Sequence, residues 1–221
     1  MDIQKHIEEN FEIDKSKGLP FEIIGFGRDK MALLMNEMGV KIGAEIGVCY
    51  GTYSETLCKA IPGLKLYGIE FGEPYRGYSD MRSWSTFNKF KEQSKTKLAP
   101  FDFNLVKKMS MDAVKDFEDN SLDFVYIDAN HEYSFVFDDI TEWTKKVKPG
   151  GVVYGHDYDS YAIRTLIDGR TIVKGPMRKD WKVKQAIHDY TEQNNITTWY
   201  LLGLFKDLAR DHARSWMFIK Q

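Results

Sequence analysis

Four short stretches of the sequence carry residue types that bind or activate a small ligand. Glu45, Gly47 and Gly51 form an E-x-G-x-x-x-G pattern in GAEIGVCYG, and Glu70 closes the next apolar run, LYGIE. Asp128 and His131 stand in IDANHEY, while His156 and Asp157 stand in GGVVYGHDY. Glycine lets a turn adopt φ > 0 and pass close to a ligand. A helix starting after such a turn offers free N–H groups and a partial positive charge. A carboxylate beside that turn can accept hydrogen bonds from both hydroxyls of a ribose. Glu45, just before the first glycine, suits a ligand with an ammonium or sulfonium and would repel a pyrophosphate. Two aspartates with imidazoles beside them can hold a divalent cation or move a proton. The glycine spacing alone does not separate a ligand loop from an ordinary strand-to-helix turn.

The elements that must position these residues alternate between strand and helix. A short buried strand ends at Ala44-Glu45-Ile46-Gly47, and Thr52 to Ala60 reads as the helix that follows, closed by Pro62-Gly63. Leu66 to Glu70 is a second strand and Phe103 to Val106 a third, ending near Met109 and Ser110. Leu122 to Asp128 is almost continuously apolar, as a central parallel strand covered on both faces must be. Val136, Ile140, Trp143 and Val147 give the next helix its buried stripe, with Asp138 and Asp139 read as solvated positions on it. Val152 to Tyr154 is the fifth strand. In an open α/β sheet ligands bind beyond the carboxyl ends of the strands, which is where the acids and imidazoles fall.

Around this core the pattern is looser. Ile3, Ile7 and Phe11 share one helical face, a loop with Gly18, Pro20 and Gly25 follows, and Met31, Leu34, Met35 and Met38 form a second stripe. These helices either cap the pocket or pack in the core, and periodicity favours the core. Residues 71 to 78 read as a lid or a plain surface loop, ahead of a helix carrying Met81, Trp84, Phe87 and Phe90. Asp159 to Lys182 reads as a long irregular segment holding Arg164, Arg170, Lys174, Arg178 and Lys179. Such a loop is functional or mobile; its charges suit an anionic substrate or simply balance Asp159, Asp168 and Asp180. Val183, Ile187 and Tyr190 mark another helix. Thr197 to Leu202 and Trp216 to Ile219 are too close in sequence for a crossover helix and read as an antiparallel pair.

At 221 residues the chain suits one core rather than two full domains. A net charge of −2 gives no general drive toward nucleic acid or anionic membrane, and no basic–aromatic stripe points to RNA or DNA. No apolar run reaches a bilayer's span, and the polar, acidic start is unlike a secretory leader. Cys49 and Cys58 read as small reduced residues, which places the protein in the cytoplasm. His6, His188 and His212 read as surface residues. The aromatic N-terminal and terminal-strand segments offer a surface for a homodimer.

The E-x-G-x-x-x-G turn with its acidic second strand resembles the class I S-adenosylmethionine-dependent methyltransferases. IDANHEY and KPGGVVYGHDY resemble a branch containing the macrocin-type and rhamnosyl O-methyltransferases, over about Gly43 to Tyr158. The resemblance implies a Rossmann-like α/β fold with a seven-stranded, mostly parallel sheet, an antiparallel terminal strand and helices on both faces. It implies one methyltransferase domain over 1–221: a helical cap at 1–40, a cofactor core at 41–158, and an acceptor side at 159–221. Glu45, Gly47, Tyr50, Gly51, Thr52, Glu70, Phe71, Ser110 and Asp128 would bind S-adenosyl-L-methionine. Family members often carry an acid just before the serine, aimed at the adenine amine, where this chain has Met109. Asp128, His156 and Asp157 would hold Mg2+ or Mn2+, though Asp128 could instead bond only the cofactor's amino group. His131, with Asp128, would act in catalysis as general base on a small-molecule or sugar hydroxyl. Competing readings are an NAD-dependent oxidoreductase and a catalytically silent protein that keeps the cofactor fold.

Overall fold

In a computed structural model the described residues are 3–73, 75, 84–159, 161–165, 171–176, 182–202 and 213–221, with 84, 86, 161–165 and 171–176 described by backbone alone. Five parallel strands build the centre: β3 (Ile42–Ile46), β4 (Lys65–Ile69), β5 (Phe103–Val106), β6 (Leu122–Ile127) and β7 (Val147–Gly155). β10 (Tyr200–Leu202) and β11 (Ser215–Ile219) pair antiparallel, and β11 also runs antiparallel to β7. That is the expected Rossmann-like methyltransferase arrangement. The sheet has nine strands rather than seven, in the order β1-β2-β10-β11-β7-β6-β3-β4-β5.

The two extra strands, β1 (Ile13–Asp14) and β2 (Phe21–Ile23), lie in the stretch read as a loop. Two or three residues are too few to show a period of two. They become strands because β2 finds the open edge of β10 and pairs with it in parallel. The segment after residue 159 is likewise less irregular than expected. β8 (Tyr161–Thr165) and β9 (Thr171–Pro176) form a separate antiparallel pair. Arg170, Arg178, Lys179, Met81 and His212 lie outside the described residues.

Successive side chains of the central strands point to opposite faces, and two cores result. Phe124, Tyr126, Val152 and Tyr154 face one side, against α1 (Ile3–Asn10), α2 (Arg28–Glu37) and α3 (Thr52–Ala60). Leu122, Val125, Ile127 and Val153 face the other, against α5 (Ser110–Ala113), α6 (Tyr133–Lys146) and α7 (Val183–Gln193). Ile3, Ile7, Met31, Leu34 and Met35 are buried, so the N-terminal stripes are core packing. α4 (Trp84–Leu98) buries Phe87 and Phe90. Every residue of β10 and β11 is buried inside the sheet. Among the described residues no helix is long and apolar enough to cross a membrane.

Candidate active site

The chain leaves β3 toward β4 and β5, then returns to β6 on β3's other side. The carboxyl ends of β3 and β6 therefore flank the switch point where a doubly wound sheet opens a crevice. Gly47 sits there with φ 92°, and a Cβ on it would lie 2.2 Å from the backbone oxygen of Asp128. Glycine is required twice over, by the dihedral and by the close passage of the two strand ends. Gly51 caps α3 with φ 66°. The N–H groups of Val48 and Cys49 donate to Glu70 Oε2 at 3.3 and 3.2 Å, and Gly72 N–H donates to Oε1 at 3.1 Å. Glu70 thus ties the end of β4 to the glycine loop, while Oε1, accepting one bond, keeps capacity for a ligand hydroxyl.

Beyond these residues lies an open cleft lined by Gly47, Glu70, Phe71, Tyr75, Ser110 and Asp139, with Ile46, Ile69, Phe87, Met109 and Phe135 among its apolar walls. Asn130 Nδ2 donates to the Tyr75 hydroxyl at 3.2 Å, fastening the segment after β4 to the end of β6. Glu45, by contrast, is not on this surface. Its carboxyl is buried, accepts from the Ser54 hydroxyl, and is pushed by burial to about 8. Tyr50 packs edge-on against Phe90 at 4.1 Å, and the exposed Thr52 hydroxyl accepts from Lys97 Nζ at 3.0 Å. Neither lines the cleft.

Asp139 overturns its expected place. It is buried on α6 and lines the cleft, whereas Asp138 is exposed. The Ser110 hydroxyl donates to Asp139 Oδ1 and accepts from Trp143 Nε1 at 2.8 Å. The signal was present: Asp139 falls three residues after Val136 and four before Trp143, on the helix's buried stripe. An acid on an apolar stripe is easily assigned to the neighbouring polar face.

On the other side of β6 the strand-end groups converge. Asp128, His131 and Asp157 each offer an atom within 4.8 Å of the others, a donor set that fits a cation. His131 Nε2 stands 2.8 Å from Asp157 Oδ2 and 3.5 Å from Asp128 Oδ1. The imidazole of this set comes from His131 and not from His156, whose Nδ1 lies 3.3 Å from Asp157 Oδ1. Asp157 adopts φ 53°, an uncommon conformation that aspartate tolerates better than most residues. Burial by itself raises its pKa, but the neighbouring His156 charge and hydrogen bonds from His131 and His156 outweigh that and hold it well below the usual carboxylate range.

Arg28 was not anticipated. From the first turn of α2 its guanidinium lies over the Tyr53 ring at 4.9 Å, and Nη1 donates to the Tyr126 hydroxyl at 2.9 Å. Tyr126 in turn donates to Asp128 Oδ2 at 3.4 Å. Nothing local marks an arginine 98 residues from its partner. His188, read as a surface residue, is partly buried, with Nε2 2.8 Å from the Tyr158 hydroxyl and its ring edge-on to Trp199 at 5.0 Å. Cys49 and Cys58 are free thiols, both pushed by burial to about 12.

Sheet order, glycine turn and acid-tipped second strand together define a methyltransferase-type Rossmann fold. The sequence profile of a methyltransferase-domain family matches residues 44–158, just over half of the chain, and the chain belongs to that family. No curated protein matches it. Among solved structures it is similar to the O-methyltransferase of Bacillus cereus in complex with S-adenosylhomocysteine (SAH), with TM-score 0.59 and 14% identity over 99% of this chain and 89% of that one. It is also similar to TomG of Streptomyces achromogenes, an O-methyltransferase of tomaymycin synthesis in complex with S-adenosylmethionine, with TM-score 0.57 and 14% identity over 100% and 90%. A spermidine synthase of Thermotoga maritima shares the fold at TM-score 0.51 and 17% identity over 88% of this chain and 57% of that one. The fold by itself therefore does not fix the reaction; the family match carries methyl transfer and sets aside the nicotinamide reading.

Proposed function

We propose that the chain transfers the methyl group of S-adenosyl-L-methionine to a hydroxyl of a small molecule or sugar in the cytoplasm. It would sit in the branch resembling macrocin-type and rhamnosyl O-methyltransferases, on the strength of IDANHEY and GGVVYGHDY. The observation that carries the proposal is the convergence of Asp128, His131 and Asp157 beside the cleft. Ala129 and Asn130, which line the cleft, run directly into His131.

Methyl transfer from a sulfonium needs the acceptor oxygen in line with the S–CH3 bond, freed of its proton and shielded from water. The aromatic walls and the Asn130–Tyr75 bond supply shielding. Asp157 holds the imidazole by Nε2 and stabilises the imidazolium that forms when His131 takes the acceptor's proton. Asp128, Asp157 and His131 would also hold Mg2+ or Mn2+, the imidazole favouring the latter. Bound there, such an ion would lower the pKa of an acceptor hydroxyl as a Lewis acid. In that case His131 serves as a ligand.

Calorimetric titration with SAH and with NAD tests the cofactor, and binding of NAD alone would refute the proposal. SAH release from S-adenosyl-L-methionine over a panel of sugar and phenolic acceptors, with and without EDTA, tests the chemistry. Turnover lost to EDTA and restored by Mn2+ assigns His131 to the metal. Turnover indifferent to EDTA but lost in His131→Ala assigns it as base. Turnover unchanged in both removes the three residues from the reaction.

A further inference from the structure

We propose that Asp139 reads the base of the bound cofactor, accepting a hydrogen bond from the exocyclic amine of adenine. This rests on the cleft being the cofactor site and adds the residue that makes it selective for an adenosyl group. Asp139 is 3% exposed, and it lines the cleft beside Ser110. Its Oδ1 accepts the Ser110 proton, and Trp143 Nε1 donates to that serine's oxygen, so the hydroxyl is oriented and the carboxyl held in place. Among the described residues Ser110 is the sole side-chain partner of Asp139, which leaves Oδ2 with no donor. Burial disfavours the ionised carboxyl and pushes this group to about 7, a cost that falls on the form able to accept from a ligand. A ligand N–H entering the cleft removes that cost.

The chemistry of the wall narrows which N–H. Ile69, Phe71, Phe87 and Met109 give apolar and aromatic surface suited to a flat ring. Asn130 is engaged at both ends, its Oδ1 by Glu132 N–H at 2.9 Å and its Nδ2 by Tyr75. Glu70 already accepts three backbone N–H groups and belongs with the ribose hydroxyls at the end of β4. Adenine's ring nitrogens N1, N3 and N7 are acceptors and would oppose a carboxylate. The 6-amino group is the donor of the base that needs an acceptor, and Asp139 is the acceptor the cleft holds in reserve.

The test is calorimetric titration of the full chain with SAH and with its analogue carrying hydrogen in place of the 6-amino group. Wild type should bind SAH about 10- to 100-fold more tightly than the analogue, the value of a hydrogen bond to a charged group. Asp139→Ala should bring the two affinities within about threefold of each other by weakening SAH and leaving the analogue nearly unchanged. Asp139→Leu, which keeps the branching and number of side-chain heavy atoms, carries the same expectation if the alanine variant fails to fold. Equal affinities in wild type, or undiminished discrimination in the variants, overturn the role of Asp139. Wild type that binds neither ligand overturns the cofactor site itself, a result distinct from a cleft that binds SAH but ignores its amine.

Discussion

Two buried aspartates flank the end of β6, and their environments send them in opposite directions. Asp139 is 3% exposed and Asp157 9%, and burial is the largest influence on both, raising each. Asp139 has the Ser110 hydroxyl as its relief and ends at about 7. Asp157 has His131 and His156 against it and stays ionised far below that. Burial sets the penalty, and the neighbours decide whether the charge survives it. On the proposed reading, the difference divides the site into a half that would recognise neutral donors of a ligand and a half that keeps a fixed negative charge for protons or cations.

The largest expected effect tests that division directly. His131→Ala should lower kcat by about 10²- to 10⁴-fold while the SAH dissociation constant stays within about threefold. If this variant lost cofactor affinity as severely as turnover, the two halves would not be separate. Asp157→Asn should cost roughly 3 kcal/mol at pH 7 by urea unfolding, because it removes the charge from a buried, hydrogen-bonded pair. A carboxylate with a depressed folded pKa stabilises above its unfolded value, so this deficit should shrink as pH falls below the ordinary 3.8. Asp139→Asn should have the opposite sign. Between 3.8 and about 7 the folded chain holds a proton the unfolded chain has released, so wild-type stability falls as pH rises through that window. The variant escapes the loss, gaining roughly 2–4 kcal/mol at pH 8.5 and little near pH 4. Equal behaviour of the two asparagine variants across pH would erase the contrast. The smallest effect belongs to the binding half: Tyr75→Phe removes the acceptor of Asn130 and should weaken SAH by no more than about fivefold, with kcat lowered by no more than a similar factor.

Much of this was legible in the residues. The apolar run at 122–127, the glycine turn at 47–51 and the acid at Glu70 each carry a local signal, because a buried strand, a positive φ and a strand-end carboxylate leave marks within a few positions. The site was legible in part. Asp128, His131 and Asp157 were marked by type and strand-end position, but which imidazole joins the aspartates was not. Adjacent His156 was the natural choice, yet His131 Nε2 reaches Asp157 at 2.8 Å from the next strand over. Glu45 reads the same whether its carboxyl faces a ligand or a serine, and only the packing of α3 turned it toward Ser54. β1 and β2 had no period to show, since their existence depends on the free edge of β10.

What the sequence by itself determined is what adjacent residues impose: strand and helix periods, the glycine turn, and the delivery of acids and imidazoles to the carboxyl ends of parallel strands. The tertiary structure alone decided which of those groups meet. Arg28 found Tyr126, Ser110 found Asp139, and His131 found Asp157 through contacts between elements distant along the chain. Hydrogen bonding and desolvation act over a few ångströms of space, and separation in sequence does not encode that distance until the sheet order is set.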